Sequence, residues 1–358
     1  MDLARLLASE PELAARARRL RAEPDLDFPL LSAKLKLTWR CNLRCGLCRL
    51  WKRPQLYDHS FTLPHEKAAG IIRELHQRGL RKVHFSGGEV LLLDYFPAIV
   101  RLSRELGLQV NLTTNGTLLT KDVARMLVDE RVHSVTVSID SPSARQHDAM
   151  RGRPGAWKDA WRGVEELVER KAKKGRGPTV AVNTIMTRKN IARLDALYEL
   201  LIARGVESWR LLPVDAESKK VRPTEAQWRE LAGQWARWRH LMARLPLDWS
   251  SPKSAHKAAR GEYAAMFYRN RVCFAPWFGL FVDADGETFP CCMGKANMQS
   301  YGNALVAPVA EVLASPARRA VCCTMAAGQL FPVCATCDDY LEENQAFEEL
   351  YRKEDGAC

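Results

Sequence analysis

Thr38-Trp-Arg-Cys41-Asn-Leu-Arg-Cys45-Gly-Leu-Cys48-Arg-Leu-Trp51 carries three cysteines within eight residues, spaced by three residues and then two. Three thiolates on one short loop can hold three corners of a [4Fe–4S] cubane, which has four irons. A zinc site normally closes with a fourth protein ligand, usually from a second pair downstream. Here no cysteine follows Cys48 until Cys273. The pattern predicts an iron left open for a small-molecule ligand, against the alternative of three buried or metal-free thiols.

Outward from this loop the chain alternates. A strand is expected over 33–39, its end delivering the cysteines. Helices over 64–78, 95–105, 121–130, 156–173 and 191–204 then alternate with strands over 82–86, 109–113, 134–139, 179–186 and 208–212. Six strands, each but the last followed by a helix, predict an α/β fold: a parallel sheet with helices packed outside. In such folds chemistry gathers at the carboxyl ends of the strands. Residues 1–30 predict a helical lead-in broken at Pro11. A helix over 224–245 carries Trp228, Trp235 and Trp238, the first two seven residues apart and so on one face. Core packing is the stronger reading of that stripe, and a substrate platform the weaker. Residues 246–268 are mixed and polar, as in a linker or lid. The expected domains are therefore 1–30, 31–215, 216–270 and 271–358.

The 358 residues carry a net charge of +12 and a hydrophobic fraction of 47%. No apolar run approaches the ~20 residues a membrane helix needs. The first twenty residues mix arginines with Asp2, Glu10 and Glu12, unlike a signal peptide. Eleven cysteines without an export signal predict reduced thiols and metal binding, and hence a cytoplasmic protein. The positive charge would suit an anionic substrate, an acidic partner or RNA. Apart from the run at 170–176, which suits a solvated helix end, basic residues are dispersed; this argues against specific nucleic-acid binding.

The CxxxCxxC spacing resembles the radical S-adenosylmethionine (radical SAM) superfamily, in which the open iron binds the amino and carboxylate groups of SAM. Phe85-Ser-Gly-Gly-Glu89 points the same way. Two glycines let a backbone approach a ligand, and a carboxylate can receive an ammonium group. The segment is similar to the family's GGE motif, which carries Gly87, Gly88 and Glu89 over as SAM contacts. Asn115 follows the third strand, while Ser138 and Asp140 close the fourth. Arg151 lies in His147-Asp-Ala-Met-Arg-Gly152. Similar segments in related enzymes contact SAM, and turn or helix-cap roles are the competing reading. Asn183, on the fifth strand, is a further polar contact expected inside the barrel. The chain departs from many family members at Leu47, where an aromatic commonly precedes the third cysteine.

Cys273, Cys291, Cys334 and Cys337 form a second set. Residues 278–290 between the first pair alternate around Asp-Ala-Asp-Gly as a β-hairpin does, which would bring Cys273 and Cys291 together. Four thiolates suit a closed [4Fe–4S] cluster or a four-cysteine zinc site equally by count. The module resembles the twitch domain, the shortened form of the SPASM domain, and its spacing is especially similar to that of radical SAM alcohol oxidases, which favours a second [4Fe–4S] cluster. Cys292, Cys322, Cys323 and Cys358 are spare; Cys322 and Cys323 are candidate catalytic hydrogen donors, with buried thiols the default.

The resemblance spans roughly residues 33–340. It implies a partial (β/α)6 parallel barrel with a small C-terminal cysteine-rich twitch/SPASM-like module. It also implies two iron–sulfur clusters, SAM as cosubstrate and an external one-electron reductant of flavodoxin or ferredoxin type. The implied activity is an oxidoreductase that cleaves SAM to a 5′-deoxyadenosyl radical and oxidises a sugar, aminocyclitol or peptide. A peptide-modifying maturase or epimerase is the alternative, and a non-catalytic iron–sulfur or zinc RNA-binding protein the third reading. Against a peptide maturase, only forty residues precede Cys41, too few for a fused leader-binding domain, although a separate partner protein could substitute.

Overall fold

The computed structural model describes residues 3–214, 218–248, 254–263, 273–337 and 342–355. Cys358 lies outside them. The alternating pattern folds as six parallel strands: β1 (Ser32–Lys36), β2 (Lys82–Ser86), β3 (Gln109–Thr114), β4 (Ser134–Ser138), β5 (Thr179–Met186) and β6 (Ser208–Pro213). They pair in sequence order, as a partial (β/α)6 barrel requires. Along these strands buried and half-buried residues alternate. Val83, Phe85, Val110, Leu112, Val135, Val137, Val180 and Val182 belong to the large hydrophobic core. Each such burial contributes about 1.5–3 kcal/mol. The alternate residues, among them Lys34, His84, Asn111, Ser138, Asn183 and Arg210, leave a polar face for the barrel interior. A parallel sheet covered by helices usually reads apolar on both faces; the polar inner face marks this interior as a place for a ligand.

The outer helices form where the apolar spacing places them. The helix Lys121–Asp129 starts on Thr120, whose hydroxyl accepts the Val123 N–H at 3.3 Å, and it buries Ala124, Leu127 and Val128. The helix Glu225–Met242 opens on a capping box of Thr224 and Gln227. It buries Trp228 and Trp238, with the Trp238 ring 5.4 Å from Tyr198 and 5.8 Å from Trp209. Trp235 is half-buried against the same core. The tryptophan stripe is therefore core packing.

Three strands extend the sheet beyond the expected six. β7 (Leu247–Asp248) pairs parallel to β6 within the stretch expected as linker or lid. The hairpin of β8 (Gly279–Val282) and β9 (Thr288–Phe289) forms as expected, Phe281 opposite Phe289. Its placement is new: β8 pairs parallel to β1, so the cysteine-rich module continues the barrel sheet. The helices Leu3–Ser9 and Pro11–Arg19, with Pro11 at the first turn of the second, contact the helix Glu342–Asp355. Tyr351 donates to the Ala17 carbonyl at 2.8 Å, and Phe347 lies 4.7 Å from Phe274 and 6.0 Å from Phe28. Among the described residues no helix is long and apolar enough to cross a membrane.

Candidate active site at the cysteine loop

The loop from Cys41 to Cys48 hangs between the ends of β1, β2 and β3 and the helix Ala144–Arg151. Its approach is fixed by two glycines. A Cβ on Gly87 would stand 2.4 Å from the Thr38 carbonyl oxygen, and one on Gly88 would stand 2.1 Å from that of Arg40. The backbone N–H of Gly88 donates to Thr38 at 2.7 Å and that of Glu89 to Arg40 at 2.8 Å. These glycines bring the β2 turn onto the strand that delivers the cysteines, in addition to lining the cavity there. On the far side, Gly46 and Arg44 donate to the carbonyls of Met150 and Arg151 at 3.1 and 3.3 Å. Gly152 closes that helix at φ +67°, and a Cβ on it would meet the Arg44 carbonyl at 2.2 Å.

A cavity of about 240 Å³ opens between these elements. It is lined by Cys41, Cys45 and Cys48, by Gly87 and Gly88, and by Asn115, Ser138, Asp140 and Arg151. Glu89 stands behind this wall, 1% exposed. Its carboxylate accepts from Thr114 Oγ1 at 2.8 Å, the Asn115 N–H at 2.7 Å and the Leu91 N–H at 3.2 Å. It ties β2 to the end of β3 and positions Asn115, where the sequence suggested direct contact with an ammonium group. Burial pushes its pKa up, and those hydrogen bonds oppose the rise. Asn183 pairs with Ser138 in the β4–β5 register and does not line this cavity.

Asn115 and Asn42 brace the loop. Asn115 Nδ2 donates to Asn42 Oδ1 at 2.9 Å and lies 3.9 Å from Cys41 Sγ. Asn42 donates in turn to Thr117 Oγ1 at 2.8 Å. Asn42 sits inside the cysteine motif, yet its spacing alone gave no sign of this bracing. Burial pushes the Cys41 thiol up to about 12, the Leu43 N–H 3.4 Å from its sulfur opposing. Burial also raises Cys45, and the Arg151 guanidinium beside it pulls the other way.

Arg151 is buried and pairs with Asp140 at 2.7 Å. Asp140 also accepts the Ile185 N–H at 3.0 Å, while its own N–H donates to His147 Nδ1 at 3.2 Å. The His147 ring is thereby held neutral, its pKa brought down to about 4 by burial and then by Arg151. The turn and helix-end roles weighed for Asp140 and Arg151 are thus real, and both residues still face the cavity. Trp51 lines the cavity beside Leu47; the Arg44 guanidinium lies 3.4 Å over its ring and His59 stacks on it at 3.8 Å.

Of the second set of cysteines, Cys291 lines a cavity beside β1 and β8, and Cys273 neighbours Cys334. Asn344 Nδ2 donates to Cys273 Sγ at 3.4 Å. Burial, and then the neighbouring Cys273, push the Cys334 thiol up to about 11. The Cys337 N–H donates to the Cys334 carbonyl at 3.2 Å, and burial, followed by Cys322 and to a lesser extent Cys291 and Cys273, pushes the Tyr301 hydroxyl well above its usual pKa. Cys322 is buried in the core with Sγ 3.8 Å from the Pro276 carbonyl, and Cys323 is exposed. Neither lines a cavity with the cysteine loop, so the hydrogen-donor role considered for them finds no geometric support. Among the described residues no three His, Cys, Asp or Glu side chains converge on one ion. A cubane takes one thiolate per iron.

The model of the radical SAM superfamily matches residues 35–201. The chain carries a radical SAM domain. The model of an iron–sulfur cluster-binding domain, SPASM, matches residues 273–338. Radical SAM relatives include an AdoMet-dependent heme synthase of Oleidesulfovibrio alaskensis, 31% identical over 49% of this chain and 43% of that one. A PqqA peptide cyclase of Streptomyces rochei is 29% identical over 52% and 48%. The chain spans about half the length of these curated relatives. Among solved radical SAM structures, anSMEcpe with bound AdoMet superposes with a TM-score of 0.65 at 16% identity, covering 91% of this chain and 97% of that one. Streptococcus suis SuiB bound to the precursor peptide SuiA gives 0.64 at 16%, covering 89% and 73%. These superpositions show the fold.

The family implies [4Fe–4S] clusters and SAM, and the residues present fit them. The loop offers three thiols, and no fourth cysteine and no histidine stand among the cavity-lining residues. Arg151 Nε is buried without a hydrogen-bond partner, a donor left over for an anionic group.

Proposed function

We propose that this chain abstracts a hydrogen atom from an unactivated C–H bond of a sugar, aminocyclitol or peptide held inside the barrel, with net oxidation of the substrate. The observation that carries this reading is the meeting of the cysteine loop, Gly87-Gly88 and Arg151 on one cavity above a polar barrel interior. When bound, the first cluster and SAM supply one-electron cleavage of the sulfonium and the radical that attacks carbon. Cys41, Cys45 and Cys48 would hold three irons and leave the fourth to SAM. Arg151 and Asn115 present donors to its amino-acid end, and Glu89 and Asp140 hold those two in place. Cys273, Cys291, Cys334 and Cys337 would hold the second cluster, placed to accept or relay the substrate's electron. A flavodoxin- or ferredoxin-type protein would supply the reducing electron.

A second reading is a peptide-modifying maturase or epimerase. It is supported by the PqqA peptide cyclase relatives and by solved neighbours that carry bound peptides. Anaerobic reconstitution tests both readings at their shared step. Iron and sulfide of about eight each per chain, two cubanes, with SAM turned over to 5′-deoxyadenosine, is the expected result. Two loaded clusters without SAM cleavage would overturn the reading.

A further inference from the structure

The helix Glu342–Asp355 reaches the second cysteine set through Asn344, which lies in its first turn and is 1% exposed. Asn344 Oδ1 accepts the Phe274 N–H at 2.8 Å, and its Nδ2 donates to Cys273 Sγ at 3.4 Å. The first bond fixes the sense of the amide, because a peptide N–H can only donate. The amide nitrogen is then left facing the sulfur. Asn344, Phe347 and Tyr351 are spaced by three and four residues and so share one face of the helix. Phe274, the residue after Cys273, stacks on Phe347 at 4.7 Å and on Tyr351 at 5.5 Å. On the neighbouring position Glu343 pairs with Lys82 of β2. The amide is thus carried on a helix docked at several points. A second donor lies close by: the Tyr301 hydroxyl is buried without a hydrogen-bond partner, and Cys322, Cys291 and Cys273 all act on it.

Docking of the helix needs only the amide oxygen, which the Phe274 N–H satisfies. The N–H on sulfur does something else once that sulfur is bound to iron. A cluster gains negative charge on reduction and its thiolates share it, so a donor aimed at one of them favours the reduced form. Burial disfavours the added charge, and the same dry surroundings strengthen the hydrogen bond that opposes this. We propose that Asn344 is a positioning residue of the second cluster, whose amide raises the reduction potential of that cluster through Cys273. The raised potential favours receipt of an electron from the substrate radical over supply of one to the substrate. The inference rests on the assignment of Cys273 to a second cluster given above. In the favoured step the substrate radical loses one electron and one proton. The proton passes to solvent, and the cluster goes from the 2+ to the 1+ state.

The test uses the reconstituted full chain and reads the second cluster by the electron paramagnetic resonance signal that added SAM leaves unchanged. In wild-type protein with nitrogen-15 in its asparagine side chains, the pulsed spectrum of that reduced cluster should show a nitrogen coupling. Absence of the coupling would overturn the proposal, and this measurement needs no variant to fold. In a redox titration Asn344→Leu, which keeps the size of the side chain and loses the donor, should lower the midpoint of the second cluster. The reduced-to-oxidised ratio at a fixed potential should fall about tenfold, or 59 mV for one electron, with the midpoint of the first cluster unmoved. A loaded variant whose second midpoint stays within twofold of wild type on that scale also sinks the proposal. Iron content separates the two ideas. About eight irons per chain with no coupling and no shift sinks the role of Asn344 alone, whereas about four in the wild type sinks the second cluster.

Discussion

The indole N–H of Trp39 donates to the carboxylate of Asp283 at 2.7 Å, joining residues 244 positions apart in the chain. Trp39 stands two residues before Cys41, and Asp283 follows β8 directly. The Asp283 side chain is fully buried, with Lys36 at 3.6 Å and Lys295 at 3.4 Å. Lys295 also lies 4.6 Å over the Trp39 ring. The entry to the cysteine loop is thus clamped to the module that carries the second cysteine set.

Asp283→Ala takes the carboxylate from the Lys36 ammonium and the Trp39 indole donor, and leaves Lys295 to its second partner, Asp285. Breaking a buried pair from one side costs roughly 3–5 kcal/mol. Chemical denaturation should show a loss of that order, and Asp283→Asn, which can still accept from Trp39, should lose less.

Cys45→Ala should remove the first cluster and abolish 5′-deoxyadenosine formation, with about four irons retained at the second site. Cys334→Ala combined with Cys337→Ala should lose a similar amount of iron and keep the first cluster. Iron analysis together with electron paramagnetic resonance checks both.

Arg151→Met leaves Asp140 buried beside Ile185 without its cation. We expect a loss of roughly 3 kcal/mol or more in stability, and SAM affinity weakened at least tenfold by calorimetry. Arg151→Lys should restore part of the stability and little of the affinity, because one ammonium cannot serve Asp140 and a ligand together.

Glycine positions divide sharply. Gly88→Ala places a methyl 2.1 Å from the Arg40 carbonyl oxygen, so the cysteine loop must move and cluster loading should fall severely. Gly155→Ala has a strained backbone sense, φ +79°, but open space around it. It should cost about 1–2 kcal/mol in thermal denaturation and leave iron content alone.

Stability should fall on acidification. A histidine held neutral in the folded state takes up a proton on unfolding, so its contribution is present above the unfolded pKa of 6.5. For His147 that contribution is lost as pH drops from 6.5 toward about 4. His84, held well below its usual value by burial and its cationic neighbours, acts in the same sense. Denaturation midpoints between pH 7 and 4.5 should decline, and His147→Gln should flatten the curve.

The barrel was legible because its signals are local. Val83, Phe85, Val110 and Leu112 alternate with polar residues, Thr120 and Thr224 cap helices, and each cysteine of the first loop, Gly87-Gly88 and Asn115 fall just past strand ends. What stayed hidden depends on partners distant in sequence. Nothing in Gly279–Val282 announces that it will pair with β1, and no spacing rule links Trp39 to Asp283. The hidden roles of Glu89 and Asp140 have another cause. A carboxylate that holds a strand end and one that greets a ligand look alike in sequence, and hydrogen-bond partners alone tell them apart.

The docking of β8 against β1 has a consequence for biogenesis. Until the ribosome has synthesised Val282, the β1 side of the nascent barrel is an open edge able to recruit another chain. Cutting the gene before that strand should therefore give an insoluble product instead of a free-standing barrel, and chaperone demand should peak while the middle of the protein is being made.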